Sequence, residues 1–94
     1  MDSARISFKV FGTVQGIGYR WFVQETARKH SIAGWVRNVP DGSVEGEAQA
    51  GRKALENFLQ DLKMRHPWAR VSSIDVRELE AIREDRDFLI RLTP

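Results

Sequence analysis

The segment Gly12-Thr13-Val14-Gln15-Gly16-Ile17-Gly18-Tyr19-Arg20 constrains this chain more than any other stretch. Ahead of it, Ile6, Phe8 and Val10 alternate with Arg5, Ser7 and Lys9. That period of two describes a half-buried strand over Arg5 to Phe11. Behind it, Trp21 to His30 reads as a helix, with Phe22, Val23 and Ala27 able to share one face. A strand must therefore pass into a helix through a loop rich in glycine. Glycine accepts positive φ and lets backbone N–H groups approach a ligand. The start of a helix leaves N–H groups without intrahelical partners, and with the helix dipole they favour an anion. Arg20 adds a planar fork of donors suited to phosphate or carboxylate oxygens. A cation in the first turn of a helix costs about 0.3–1 kcal/mol against the dipole, which an anion at the loop would offset. The competing account is a plain strand-to-helix turn that ends in a solvated arginine.

Better-known phosphate loops do not fit. The dinucleotide fingerprint would need glycine at position 21, where Trp21 stands. The P-loop needs a Gly-Lys pair, and the chain has none. With no cysteine, a cysteine-based phosphatase loop is excluded, as is any disulfide. The absence of cysteine permits a reducing compartment, and no run is apolar enough for a signal peptide or a membrane span. A cytoplasmic protein that does not engage membranes is the expectation.

The rest of the chain supplies a hairpin, a second helix and two more strands. Trp35 to Asn38 forms a short strand after a turn at Ser31 to Gly34. Val39-Pro40-Asp41-Gly42 is a turn, because Pro presets φ and Gly accepts positive φ. Val44 to Ala50 returns, with Val44, Gly46, Ala48 and Ala50 alternating with Glu45, Glu47 and Gln49. In the helix Gly51 to Met64, Leu55, Phe58, Leu59 and Leu62 fall at i, i+3, i+4 and i+7. His66-Pro67 ends it. Val71 to Leu79 is a fourth strand and Ala81 to Arg86 a polar turn. Asp87 to Leu92 is a last strand, with Phe88, Ile90 and Leu92 on one face. Met1 to Ala4 is expected to fray.

The order β-α-β-β-α-β plus one strand describes an α+β sandwich of ferredoxin-like type. Its mostly antiparallel sheet is covered on one face by two helices. At 94 residues, the chain is expected to form a single domain over residues 1–94. In this topology the first two strands run parallel with the third between them. Arg20 and Asn38 then lie at the same edge of the sheet.

The residues that carry this arrangement resemble the acylphosphatase family. They are Gly12-x-Val14-Gln15-Gly16-Ile17-x-Tyr19-Arg20 and Gly34-Trp35-Val36-Arg37-Asn38, followed by Asp41-Gly42-x-Val44-Glu45 and Gly51. Phe58, Leu59, Pro67, Ala69 and Val71 extend the resemblance over essentially the whole chain. Ile17 stands where the family usually has valine and Tyr19 where it often has phenylalanine. Both changes keep size and shape. The resemblance implies hydrolysis of small-molecule acyl phosphates to a carboxylate and inorganic phosphate. It also implies that Arg20 and the amides of Gln15, Gly16, Ile17, Gly18, Tyr19 and Arg20 bind the phosphoryl group, and that Asn38 orients the attacking water. Phosphate is then both product and competitive inhibitor.

This chemistry is consistent with the residues present. A carboxylate leaves readily, its acid having a pKa near ~4, so a placed general acid is dispensable. No cofactor or metal is expected, since His30 and His66 have no ligand-spaced partners. No serine, cysteine or histidine stands in a nucleophile context, so a covalent intermediate is not implied. Other residues have plainer expectations. Trp35 is expected to pack. Tyr19 and Trp21 either wall the site or pack, with packing the expectation. Trp68, a contact surface or a local anchor, is expected to anchor its loop, and Glu45 and Glu47 are expected to face water. Arg37, on the face opposite Asn38, is expected at the surface or in a salt bridge. Two rival functions are a module that holds phosphate without turnover and an RNA-binding domain. A net charge of +2 is small for nucleic acid. Phe8 and Phe11 face opposite ways, and the third strand has no aromatic residue, so no nucleic-acid partner is expected. A monomer is the expected state.

Overall fold

The computed structural model describes residues 3–83 and 87–92. Five strands and two helices follow in the order β1 Ser3–Thr13, α1 Tyr19–Lys29, β2 Ala33–Asn38, β3 Val44–Gly51, α2 Arg52–Met64, β4 Arg70–Leu79 and β5 Phe88–Ile90. The strand order in the sheet is β4-β1-β3-β2-β5. β3 lies antiparallel between β1 and β2, and β4 is antiparallel to β1. Only β5 pairs in parallel, along β2 from Gly34 opposite Phe88 to Val36 opposite Ile90. The ferredoxin-like α+β sandwich expected from the sequence is therefore the observed fold. No helix among the described residues is long and apolar enough to cross a membrane.

The core lies between the sheet and the helices. Phe8, Val10, Val36, Val44 and Ala48 come from the sheet, Tyr19, Val23 and Ala27 from α1, and Leu55, Phe58 and Leu62 from α2. Phe58 joins the layers. Its ring meets Phe8 edge-on at 5.5 Å between centroids and Phe88 of β5 at 6.1 Å. Burying one such side chain contributes about 1.5–3 kcal/mol. Polar groups on the opposite face pair across the strands. Arg5 is buried and donates from Nε to Glu47 Oε1 at 2.8 Å. Arg37 forms an ion pair with Glu45 at 2.6 Å. Trp35 is half-buried there, with the Arg37 and Arg91 guanidiniums 5.2 and 4.6 Å from its ring centroid.

Several boundaries differ from those expected. Ala4 is not frayed: β1 begins at Ser3, and Ala4 is buried opposite Ala50. Met1 and Asp2 lie outside the described residues, as does the Glu84 to Arg86 part of the polar turn. α1 begins at Tyr19, two residues early, and buries Tyr19, Val23, Thr26 and Ala27 while Phe22 is half-buried. The turn after α1 does not use Gly34, which lies inside β2. Ser31 takes the left-handed conformation instead, at φ 57°. Ser31 N–H donates to Arg28 O at 3.1 Å and Ile32 N–H to Ala27 O at 2.8 Å. These two bonds are the Schellman closure of a helix end, in which the left-handed position is usually glycine. β5 covers only Phe88–Ile90. Leu92, 86% exposed, does not share the buried face of Phe88.

Candidate active site

β1 delivers the chain to Val14, which is buried, and the loop then rises to the first turn of α1. Gly16 and Gly18 both adopt left-handed backbone, at φ 78° and 76°. A Cβ at either would meet nothing within 4 Å, so glycine is needed here for its conformation and not for room. Gly18 is also the N-cap residue of α1. Having no side chain, it cannot accept from the helix, and the first turn holds no acidic residue. The first helical bond runs from Phe22 N–H to Gly18 O at 3.1 Å. The N–H groups of Tyr19, Arg20 and Trp21 precede it and have no intrahelical acceptor.

Asn38 comes from the other parallel strand. It is the last residue of β2, paired in register with Val44. A single cleft of about 80 Å³ is lined by Val14, Gly16, Gly18, Tyr19, Arg20, Trp21 and Asn38. It is large enough for a small ion and too small for an extended ligand. Arg20 is half-buried in it. Arg20 has no carboxylate partner among the described residues, whereas Arg28, Arg37 and Arg65 each have one. No carboxylate or imidazole lines the cleft.

The remaining candidates of the loop have other tasks for their side chains. Gln15 Nε2 donates to Val39 O at 2.7 Å and Ser43 O at 2.8 Å, which ties the glycine loop to the turn after Asn38. Ile17 packs against the hydrophobic core. Tyr19 is 1% exposed, and its hydroxyl donates to Leu62 O at 2.8 Å. Burial pushes the Tyr19 phenol well above its ordinary pKa. Only its backbone is available to a ligand.

The turn from Val39 to Ser43 is itself well defined. Val39 N–H donates to Ser43 O at 2.9 Å and Gly42 N–H to Val39 O at 3.0 Å. Asp41 Oδ1 accepts from Ser43 N–H at 2.9 Å and from the Ser43 hydroxyl at 2.5 Å. These bonds, helped by Lys9 at 3.2 Å, bring the Asp41 carboxyl down to about 2.

Two tryptophans depart from expectation. Trp21, expected to pack, is 73% exposed and lines the cleft, because it lies about 200° around α1 from both Tyr19 and Val23, which face inward. Trp68 is as exposed as Trp21; its backbone N–H donates to His66 Nδ1 at 3.2 Å and its ring meets the His66 ring edge-on at 6.1 Å between centroids. Helical phase counted from Val23 and Ala27, a face already visible in the sequence, would have placed Trp21 outward. The Gln15 clamp has no sequence signal, because its acceptors are backbone carbonyls.

The fold puts the chain among the ferredoxin-like α+β sandwiches, and free helix amides beside an unpaired cation are what such a protein needs to hold an oxyanion. Comparison with known proteins narrows the class. Residues 6–90 match the family model described as Acylphosphatase. The acylphosphatase of Chlorobaculum tepidum is 38% identical over 90 residues, covering 96% of this chain and 98% of that protein. The crystal structure of the Bacillus subtilis acylphosphatase superposes with a TM-score of 0.89 at 38% identity, covering 94% of this chain and 98% of that one. Full-length HypF, in a phosphate- and nucleotide-bound crystal form, gives a TM-score of 0.88 at 31% identity. That match covers 98% of this chain but 12% of HypF. The chain belongs to the acylphosphatase family. The family hydrolyses acyl phosphates, and this chain is an enzyme of that kind.

Proposed function

We propose that the enzyme cleaves the carboxyl–phosphate bond by in-line attack of one water on phosphorus, without a metal or other cofactor. Arg20 and the backbone N–H groups of residues 15–20 hold the phosphoryl oxygens, and Asn38 orients the water. The observation that carries this reading is the meeting of Arg20, Asn38 and the uncapped start of α1 in one small cleft.

The chemistry asks for little more. Phosphoryl transfer depends mostly on positioning and on charge stabilisation. Fixed amide dipoles and a guanidinium supply both, because they are in place before charge develops. The amide of Asn38 can donate to and accept from the water. Water oxygen forms the new P–O bond. The old P–O bond to the acyl oxygen breaks, and its electron pair leaves with the carboxylate, whose acid has a pKa near ~4. With no carboxylate or imidazole in the cleft, the water's proton passes to a phosphoryl oxygen. The products are a carboxylate and inorganic phosphate, which competes for the same donors.

The test is hydrolysis of an aromatic acyl phosphate by wild type and Asn38→Ala, in the presence of a chelator and with phosphate as competitor. Wild-type turnover should survive the chelator and be inhibited competitively by phosphate. Asn38→Ala should lower kcat by about 10²-fold or more with the fold intact, by analogy with the loss of one placed donor in an oxyanion site. A change confined to KM would make Asn38 a binding group and sink its role toward water. Phosphate binding without turnover would leave a phosphate-holding module.

A further inference from the structure

We infer that Trp21 seats the acyl group of the substrate, and that the enzyme prefers acyl phosphates whose acyl group is aromatic or bulky and apolar. The inference rests on the phosphate-site reading above and concerns the part of the substrate that reading leaves unplaced.

The cleft holds about 80 Å³. A phosphoryl group occupies such a space, so the acyl group must lie across its rim. The rim offers little to lie on. Gly16 and Gly18 have no side chains, Val14 and Tyr19 are buried, and Arg20 and Asn38 are engaged with the phosphoryl group and the water. Trp21 is what remains, directly after Arg20 on the first turn of α1 and 73% exposed. Its ring makes no aromatic or cation–π contact among the described residues, unlike Trp35 and Trp68.

The fold gives no reason for tryptophan at this position. Tyr19, Val23, Thr26 and Ala27 supply the buried face of α1, so Trp21 adds nothing to the core. Helix propensity also ranks tryptophan below alanine and the straight-chain residues at an exposed site. A large indole left in water beside a reaction cleft is a surface on which an apolar group can be desolvated. Charge points the same way. Arg20 is the one charged residue that lines the cleft, and in the phosphate-site reading it is taken by the phosphoryl group. An anionic acyl tail would find no second cation there, whereas a planar apolar tail finds the indole.

The experiment compares kcat/KM for benzoyl phosphate and acetyl phosphate in wild type, Trp21→Ala and Trp21→Phe, with Asn38→Ala alongside. Wild type should favour benzoyl phosphate. Trp21→Ala should lower the benzoyl-to-acetyl ratio by about tenfold, the scale of one aromatic contact, and Trp21→Phe should restore most of it. Should Trp21→Ala lose structure, Trp21→Phe and Trp21→Gln, checked by circular dichroism, carry the same comparison. An unmoved ratio, in an enzyme that turns over both substrates and loses both with Asn38→Ala, would overturn the Trp21 assignment alone. Turnover of neither substrate by wild type would overturn the phosphate-site reading and the Trp21 assignment together.

Discussion

Arg20 stands where a helix would not choose a cation, in the first turn of α1. The anion proposed at the cleft removes that conflict, because the guanidinium and the helix amides then share one counter-charge. Charge alone should not suffice. Arg20→Lys keeps the charge and loses the planar fork, so kcat/KM for an acyl phosphate should fall by about 10²-fold. Steady-state kinetics checks this, and near-normal turnover would remove the fork from the mechanism. Ser31 carries a second residue-scale conflict, a left-handed φ of 57° on a residue with a Cβ. Ser31→Gly should relieve it and stabilise the protein by about 1 kcal/mol. A urea midpoint that moves down instead of up would show that the Ser31 side chain does more than tolerate the turn.

At the scale of elements, the site is two strand ends fastened to each other. Gln15 reaches from the glycine loop to the turn after β2, and Asp41 holds that turn closed through Ser43. The Asp41 carboxyl titrates near 2 in the folded protein, below its ordinary value of about 4. A lowered carboxyl pKa means that its contribution to stability is complete above pH ~4 and is lost as pH falls towards 2. The Ser43 amide signal should therefore shift as pH falls from about 4 to about 1 in an NMR titration, with its midpoint near 2, and the Asp41→Asn variant should lack that step. A Ser43 signal that is flat across this range would remove Asp41 from the turn's support.

These elements also show what a sequence can convey. Both helices, every strand and the shared edge of Arg20 and Asn38 were legible, because period and chain order are local or topological properties. The end of α1 was not, since its left-handed position holds Ser31, and the nearby Gly34 imitates a stop while lying in β2. Trp21 was misplaced although its phase was available, since it lies about 200° around α1 from Val23 wherever the helix begins. Gln15 was legible as a loop residue, but its clamp on Val39 and Ser43 was not, since backbone acceptors leave no trace in a sequence.

Across the whole molecule, Phe58 bonds the layers. It lies on α2, touches Phe8 in the sheet interior and reaches Phe88 on β5. Phe58→Ala should cost about 3–5 kcal/mol. Small domains have about 5–15 kcal/mol in total, so this one change should move the denaturation midpoint a long way. Equilibrium unfolding in guanidinium checks it, and a loss under about 1 kcal/mol would mean that the three rings do not act as one core.

β5 has a consequence for the life of the chain outside its folded state. Its three residues pair with β2 from 54 positions downstream, 88 minus 34. Arg91 N–H adds a bond to Val36 O at 2.8 Å, and Gln24 Nε2 donates to Phe88 O at 2.8 Å. Without them, β2 would be an edge with a row of open donors and acceptors, a ready template for another copy. During synthesis β2 leaves the ribosome well before the strand that shields it. For that interval the strand that carries Asn38 is open to pairing with another chain. Lesions around Phe88 would then surface in a cell as insoluble protein and low abundance, in molecules whose catalytic groups are all intact.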